Sequence, residues 1–337
     1  MHLSISNKIL AWYKKYQRDL PWRRYSSKKD RHYKVLLSEF MLQQTQVKTV
    51  IPYFNIFYKN INSIEKLAKT SQLKVNKLWQ GLGYYRRAKF LLETSKIVVN
   101  DFKGKLPTRY EDLIKLPGIG DYTAKAILSI ALDQSTIGID GNVRRVISRV
   151  FNVYCKNKIS ENVNKLLVKE NSCLLMQGIM EIGALICKPQ NPLCRDCCLH
   201  QKCKFYLTGE KLIQASRKPK KIKKLIACIF IKNKKILLSD KNNFGPLSGF
   251  LNVPLVERTK NNFKLVLKEK FKQNVKYSNL GYLNISISNI ETKILCIKIK
   301  DIKKVDNSFI FLSSNQLQKK FISSFLKKIL KKAEFTI

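Results

Sequence analysis

Four cysteines, Cys187, Cys194, Cys197 and Cys203, follow the spacing C-x6-C-x2-C-x5-C. Four thiolates in one short loop can hold a [4Fe–4S] cluster without help from the rest of the chain. Zinc is the alternative. Zinc loops, however, use two tight C-x2-C pairs with a longer spacer, and only one such pair, Cys194 and Cys197, occurs here. Cys198 adjoins the third ligand, but using it would break the x2 and x5 spacings together, so it reads as a bystander. Cys155, Cys173, Cys228 and Cys296 stand singly in apolar segments and read as core thiols.

Two carboxylates stand out beside the cysteines. Glu39 lies in the helical string Leu36 to Thr45 with Leu, Phe and Met on both sides. Most helical carboxylates face solvent. One flanked this tightly is expected to be partly desolvated, which raises its pKa and makes it a usable general acid near neutral pH. Asp140, in Ile139 to Arg145, stands just before a helical stretch. An aspartate there is most often an N-cap, and such a cap can also face a cleft. A raised acid beside an ionised carboxylate is the usual pair for cleaving glycosidic bonds.

Other segments suit nucleic acid. Leu116-Pro117-Gly118-Ile119-Gly120 sits between two helical stretches. It reads as a helix–hairpin–helix in which Gly118 and Gly120 let backbone N–H groups meet a phosphate. Gln43-Gln44-Thr45-Gln46 follows the Glu39 turn, and its amides could fill a gap in a base stack or bond base edges. Gly81 to Lys89 interleaves Tyr84 and Tyr85 with three cations. That mixture suits base stacking with phosphate pairing, or an ordinary loop with a core tyrosine.

The elements that must position these residues are helical up to residue 208. Apolar residues recur at helical spacing over Tyr33–Tyr58, with a break or new start expected at Pro52, and over Ile64–Leu82, Arg86–Val99, Tyr110–Leu116, Tyr122–Leu132 and Asn142–Phe151. The reading is an all-α domain over 1–208, closed by the cysteine loop. A basic linker is expected over 209–224. A smaller α+β domain is expected over 225–337, with a hairpin turning at Lys232-Asn233, β-like runs at Tyr282–Ser288 and Lys293–Lys300, and helices at Phe263–Phe271 and Gln316–Lys332.

The chain has 337 residues, 45% of them hydrophobic, enough for two domains with cores of their own. No apolar run reaches the roughly eighteen residues a membrane helix needs, so no membrane partner is expected. The start lacks a signal-peptide core. Nine cysteines without export fit a reducing compartment, which points to a cytoplasmic, nucleoid-associated bacterial protein. Lys and Arg outnumber acids 65 to 23, a net charge of +42 that favours a polyanion. The abundance of Lys, Asn and Ile also fits an AT-biased genome, so the local arrangement carries more weight than the total.

Together these segments resemble the MutY family of adenine DNA glycosylases, in the endonuclease III-like superfamily. The resemblance covers residues 8 to 208. It rests on Leu20-Pro21-Trp22, Ser38 to Val47, Gly81 to Tyr85, Leu116 to Gly120, Ile139 to Val143 and the cysteine loop. It implies a monomeric enzyme that removes adenine mispaired with 8-oxoguanine in duplex DNA. It implies Glu39 as the acid that protonates the flipped adenine, and Asp140 as the carboxylate that stabilises the oxocarbenium ion. Asn142 and Tyr122 match residues that support the site and its water. Trp22 and Gln177 match the adenine pocket, while Gln43 and Tyr84 match residues that insert into the stack around the 8-oxoguanine; Gln44 joins them as a DNA-binding candidate. In the endonuclease III branch the position of Tyr122 is a lysine that forms a Schiff base and nicks the strand. Tyrosine cannot, so a monofunctional glycosylase is expected.

The second domain resembles the Nudix-like C-terminal domain of that family. Glu257 and Glu269 are too few for Nudix metal chemistry. Ile287-Ser288-Asn289 stands where the family carries a Phe-Ser-His loop, which leaves Ser288 to keep one contact with 8-oxoguanine. Two other readings compete. One is a bifunctional glycosylase/lyase, opposed by Tyr122. The other is a non-catalytic iron–sulfur protein that binds DNA, opposed by the presence of both Glu39 and Asp140.

Overall fold

The computed structural model describes residues 1–209, 221–240, 250–258, 263–287, 290–302 and 308–336. Contacts divide the chain into two compact units, Met1–Thr70 with Arg87–Ala215, and Ser71–Arg86 with Ser216–Ile337.

The described residues of the first unit form helices and no strand. They are α1 (His2–Tyr16), α2 (Lys28–Leu42), α3 (Val47–Asn60) and α4 (Ile64–Ala68), then, after α5 (Gln72–Leu78) of the other unit, α6 (Arg86–Asp101) and α7 (Tyr110–Leu113). There follow α8 (Asp121–Ala126), which runs on as a π-helical turn over Ile127–Ala131, α9 (Gly141–Phe151), α10 (Lys156–Leu166), α11 (Ser172–Leu185) and α12 (Lys204–Leu207). Side-chain caps start several of them. Ser27 accepts from the Asp30 N–H at 3.1 Å, and Ser63 and Ser71 cap α4 and α5 in the same way.

The break expected at Pro52 lies elsewhere. Pro52 sits inside α3 without ending it, at the cost of one helix hydrogen bond and of crowding the carbonyl one turn back. The chain turns instead after α2, where Gln44 has φ +57°. The buried Arg87 ends α2 by donating to the carbonyls of Phe40, Met41 and Gln43 at 3.0, 2.7 and 2.5 Å. Those are the acceptors a helix end leaves without partners. Ile64–Leu82 is likewise two helices, α4 and α5, separated at Lys69–Ser71.

The second unit is α+β. Its elements are β1 (Lys221–Ile229), β2 (Ile231–Lys232), β3 (Lys235–Leu238), β4 (Leu255–Glu257), α13 (Phe263–Phe271), β5 (Tyr277–Ile287), β6 (Ile290–Ile299), β7 (Ile310–Ser313), α14 (Ser314–Gln318) and α15 (Ser324–Lys332). One sheet has the order β4-β1-β6-β5, with β1 and β6 parallel; a second has the order β2-β3-β7. Alternate residues of β1 and β6 feed two cores: Leu225, Ile294 and Cys296 meet Ile329 of α15, while Ile226, Leu295 and Ile297 meet Leu267 and Phe271 of α13.

Strand β1 starts at Lys221, inside the segment expected to be a linker, and residues 210–220 lie outside the described residues. The hairpin turns at Asn233-Lys234, both at positive φ, one residue later than expected. The expected helix Gln316–Lys332 is two helices, because Ser323 caps a new one. Cys228 and Cys296 are core thiols, but Cys155 is exposed at the start of α10 and Cys173 is only half-buried. Isolation among apolar residues does not by itself place a thiol in a core.

Candidate active site and cysteine cavity

One cavity of about 750 Å³ collects most of the expected site. Glu39, Tyr122, Asp140, Asn142, Trp22, Gln43, Gln44 and Gln177 all line it. They come from five places in the sequence: the turn Pro21–Arg23, α2 and its end, the start of α8, the start of α9, and α11.

Glu39 projects from α2 among Leu36, Phe40 and Met41, all fully buried, and is itself only 6% exposed. Burial, and next the negative charge of Asp140, push its carboxyl from the usual 4.5 up to about 8; a hydrogen bond with Tyr122 pulls the other way. The Tyr122 phenol is held well above its usual range by burial, with Glu39 and Asp140 adding to it. Tyr122 therefore stays neutral beside Glu39 and Asp140, and its hydroxyl donates to Met180 Sδ at 3.6 Å.

Asp140 caps α9 and also lines the cavity. One carboxylate oxygen caps α9 by accepting from the Val143 N–H at 2.7 Å, and the other accepts from Asn142 Nδ2 at 2.9 Å. Arg145, one turn on, donates to Asn142 Oδ1 at 2.8 Å, to the Gly183 carbonyl at 2.7 Å and to the Cys187 carbonyl at 2.7 Å. Gly183 permits this close approach of α9 to α11, since a Cβ there would lie 2.7 Å from that of Asn142.

Gln43 Nε2 donates to the Gly118 carbonyl at 3.2 Å, which ties the end of α2 to the hairpin. Gly118 has φ +77°, and a Cβ there would meet Phe40 and Phe90 at 2.8 Å. Gly120 is the N-cap of α8 with open space beside it. The hairpin therefore forms between α7 and α8 as expected, outside the cavity wall. Trp22 is buried edge-on against Phe54 at 5.3 Å. Gln177 Oε1 accepts from Tyr13 at 3.0 Å and Arg23 at 2.9 Å, so its carbonyl end is already engaged.

Tyr84 does not line the cavity: it is 37% exposed and belongs to the segment that groups with the second unit. Ser288 lies outside the described residues.

Sequence reasoning missed Glu181, Arg18, Arg23 and Arg145, all on the cavity wall. Glu181 is 1% exposed and accepts from Arg18 at 2.7 Å and Arg23 at 2.8 Å. The signal for it was available. Glu181 is an acid in the apolar helix Ser172–Leu185, the same pattern that singled out Glu39. The arginines carried no such mark among 65 Lys and Arg residues.

The four cysteines line a second, small cavity together with Arg149, Ile186 and Phe205; Cys198 does not line it. Arg149 donates to Cys187 Sγ at 3.2 Å and to the carbonyls of Lys188 and Pro189 at 2.7 and 3.0 Å. A guanidinium on a ligand sulfur suits a thiolate. Among the described residues no three His, Cys, Asp or Glu side chains converge as a single-ion site requires. Cys187, Cys194, Cys197 and Cys203 around one cavity offer four thiolate donors, a set that suits a [4Fe–4S] cluster or a zinc ion.

Residues 37–170 match a protein-family profile described as "HhH-GPD superfamily base excision DNA repair protein". The chain is 43% identical over 226 residues to an adenine DNA glycosylase of Buchnera aphidicola subsp. Schizaphis graminum, a match covering 64% of each chain. The match thus spans less than two thirds of that relative's length. Among solved structures, the chain is similar to a thermostable thymine-DNA glycosylase, with TM-score 0.56 and 26% identity over 61% of this chain and 97% of that one. A trapped endonuclease III–DNA covalent intermediate shares the fold, with TM-score 0.52 and 18% identity over 63% of this chain and 99% of that one.

Proposed function

We propose, on the premise that residues 37–170 are an HhH-GPD domain, that the chain is a monofunctional adenine DNA glycosylase of base excision repair. The observation that carries this reading is Glu39, buried beside Asp140 in a cavity of about 750 Å³ with its carboxyl raised to about 8.

At neutral pH Glu39 holds a proton. It delivers that proton to the flipped base as the C1′–N9 bond breaks and the bond's electron pair leaves with the base. The Asp140 carboxylate faces the positive charge that develops on the sugar. Water then adds at C1′, and its proton returns to Glu39. Asn142 and Arg145 fix the Asp140 rotamer, and Tyr122 orients Glu39. Extrusion of the base from the duplex gives it access to the cavity. The excised base is adenine, which the similarity to an adenine DNA glycosylase supports; its place opposite 8-oxoguanine or guanine in double-stranded DNA belongs to the same proposal. The second unit is assigned the Nudix-like role of reading the opposite base.

Two findings oppose strand nicking. Tyr122 occupies the cavity wall, and Lys125 is paired with Asp121 at 2.9 Å, away from that wall. Cys187, Cys194, Cys197 and Cys203 are the residues to hold a [4Fe–4S] cluster; when bound, it would pin the loop that Arg145 and Arg149 grip. A monomeric, cytoplasmic, nucleoid-associated protein belongs to the same proposal, in which the net charge of +42 supports only the polyanion partner.

The test is base release from duplex DNA carrying adenine opposite 8-oxoguanine, read as strand cleavage with and without hot alkali. Cleavage only after alkali, lost in Glu39→Gln, is the expected result. Cleavage without alkali would mean a lyase. DNA binding with no cleavage under either condition would favour the non-catalytic reading.

A further inference from the structure

In the second unit, an exposed tyrosine gathers cations on one sheet face. Tyr282, on the edge strand β5, is 45% exposed. The Arg258 guanidinium donates to its hydroxyl at 2.9 Å, and the Lys293 ammonium stands 4.8 Å from its ring centroid. Lys224 pairs with Lys293 across β1 and β6 and is exposed on the same face. Glu291 is the acid of that face, one pair further along β6.

A bulge in β5 decides that Tyr282 emerges here. Asn279 pairs with Ile297 but Gly281 pairs with Cys296, so Leu280 is an extra residue. Gly281 supplies φ +86° at that point. One extra residue exchanges the faces of everything that follows. Leu283 and Ile285 thereby enter the core under α15, and Tyr282 comes out beside Lys293. Without the bulge Tyr282 would point into that core.

An AT-biased genome accounts for scattered lysines, but not for Arg258, the single arginine of residues 221–337. Nor does it account for a tyrosine that holds two cations at fixed positions. Glu291 alone on this face leaves Arg258, Lys293 and Lys224 in excess over it among the described residues, and a further anion would offset that excess. A phosphodiester backbone provides anions in series, and arginine matches phosphate geometry.

We infer that Arg258, Lys293 and Lys224, arranged by Tyr282, form a backbone-contact surface of the second unit for DNA. The inference rests on the DNA-acting reading above and adds a surface that the base-excising cavity does not contain.

The experiment is binding of the full chain to an undamaged duplex, followed by fluorescence anisotropy across a salt series. Arg258→Ala combined with Lys293→Ala should weaken binding roughly tenfold at about 0.1 M salt and reduce the salt slope by about two. Tyr282→Phe, which drops only the hydroxyl that holds Arg258, should fall between the double variant and wild type. Lys298→Ala combined with Lys328→Ala, two exposed lysines away from that face, is the control for generic charge. An unchanged slope, or a loss no larger than that of this two-charge control, overturns the inference. Base release by the wild-type chain is measured separately, so a failed surface and a failed glycosylase reading give different results.

Discussion

The Arg145 guanidinium donates to the backbone carbonyl of Cys187 at 2.7 Å. The same side chain reaches Asn142, which in turn holds Asp140. The first cysteine of the loop and the carboxylate of the cavity are therefore two side chains apart. The cysteine loop is part of what orients Asp140.

That link makes a prediction. Arg145→Lys keeps the charge but cannot reach three acceptors with one planar fork. Base release should fall roughly ten- to a hundredfold while DNA affinity changes little. Single-turnover kinetics beside a binding titration separate the two effects, and an unchanged rate would mean Asn142 holds Asp140 unaided.

Glu39→Gln removes the acid and should cost roughly 10²–10⁴ in rate. In the wild type, activity should fall as pH rises through about 8, where Glu39 loses its proton. Stability follows the same group. Its folded pKa lies above the ordinary 4.5, so the folded state binds the extra proton and stability drops as pH rises from about 4.5 to about 8. Glu39→Gln should therefore be more stable than wild type by a few kcal/mol at about pH 9, and nearly equal at about pH 4. Urea melts at both pH values check this.

The hydrogen bond from Tyr122 lowers the Glu39 pKa. Tyr122→Phe should therefore raise it and move the alkaline limb of the pH–rate profile upward. A limb that stays in place or moves down would mean that Tyr122 does not engage the Glu39 carboxyl in solution.

Cys194→Ser removes a residue of the small cavity, whereas Cys198 does not line it. Iron and sulfide content of the purified protein should fall in Cys194→Ser and stay at the wild-type level in Cys198→Ser. Equal loss in both would make Cys198 a ligand.

Glu181→Gln leaves Arg18 and Arg23 facing a neutral amide in a buried site. Breaking one side of a buried ion pair costs about 3–5 kcal/mol. The partial exposure of Arg18 reduces that, so a loss of about 2 kcal/mol in a denaturant melt is expected.

Much of this site was legible in the sequence because local chemistry marks it. Glu39 and Asp140 announce themselves by composition: one is an acid where helical spacing demands apolar residues, the other an acid where a helix starts. Spacing alone singles out the four cysteines that line one cavity, and Cys198, which the spacing sets aside, does not line it. Gly118 is required by a turn whose φ only glycine adopts easily.

What the sequence could not supply is anything set by contact between distant segments. Arg87 ends α2 from another helix, so the chain breaks after Leu42 and not at Pro52, the residue that local rules favour. Arg145 is one cation among many until folding sets α9 against α11 and brings the Cys187 carbonyl within reach. The face on which Tyr282 emerges depends on one extra residue in β5, and alternation of apolar residues cannot reveal such a shift. The sequence by itself determined which residues carry acids, thiols and turns, because those properties reside in single side chains and short spacings. Only the tertiary structure decided the proton affinity of Glu39. That affinity depends on burial and on the distance to Asp140, a charge a hundred residues away.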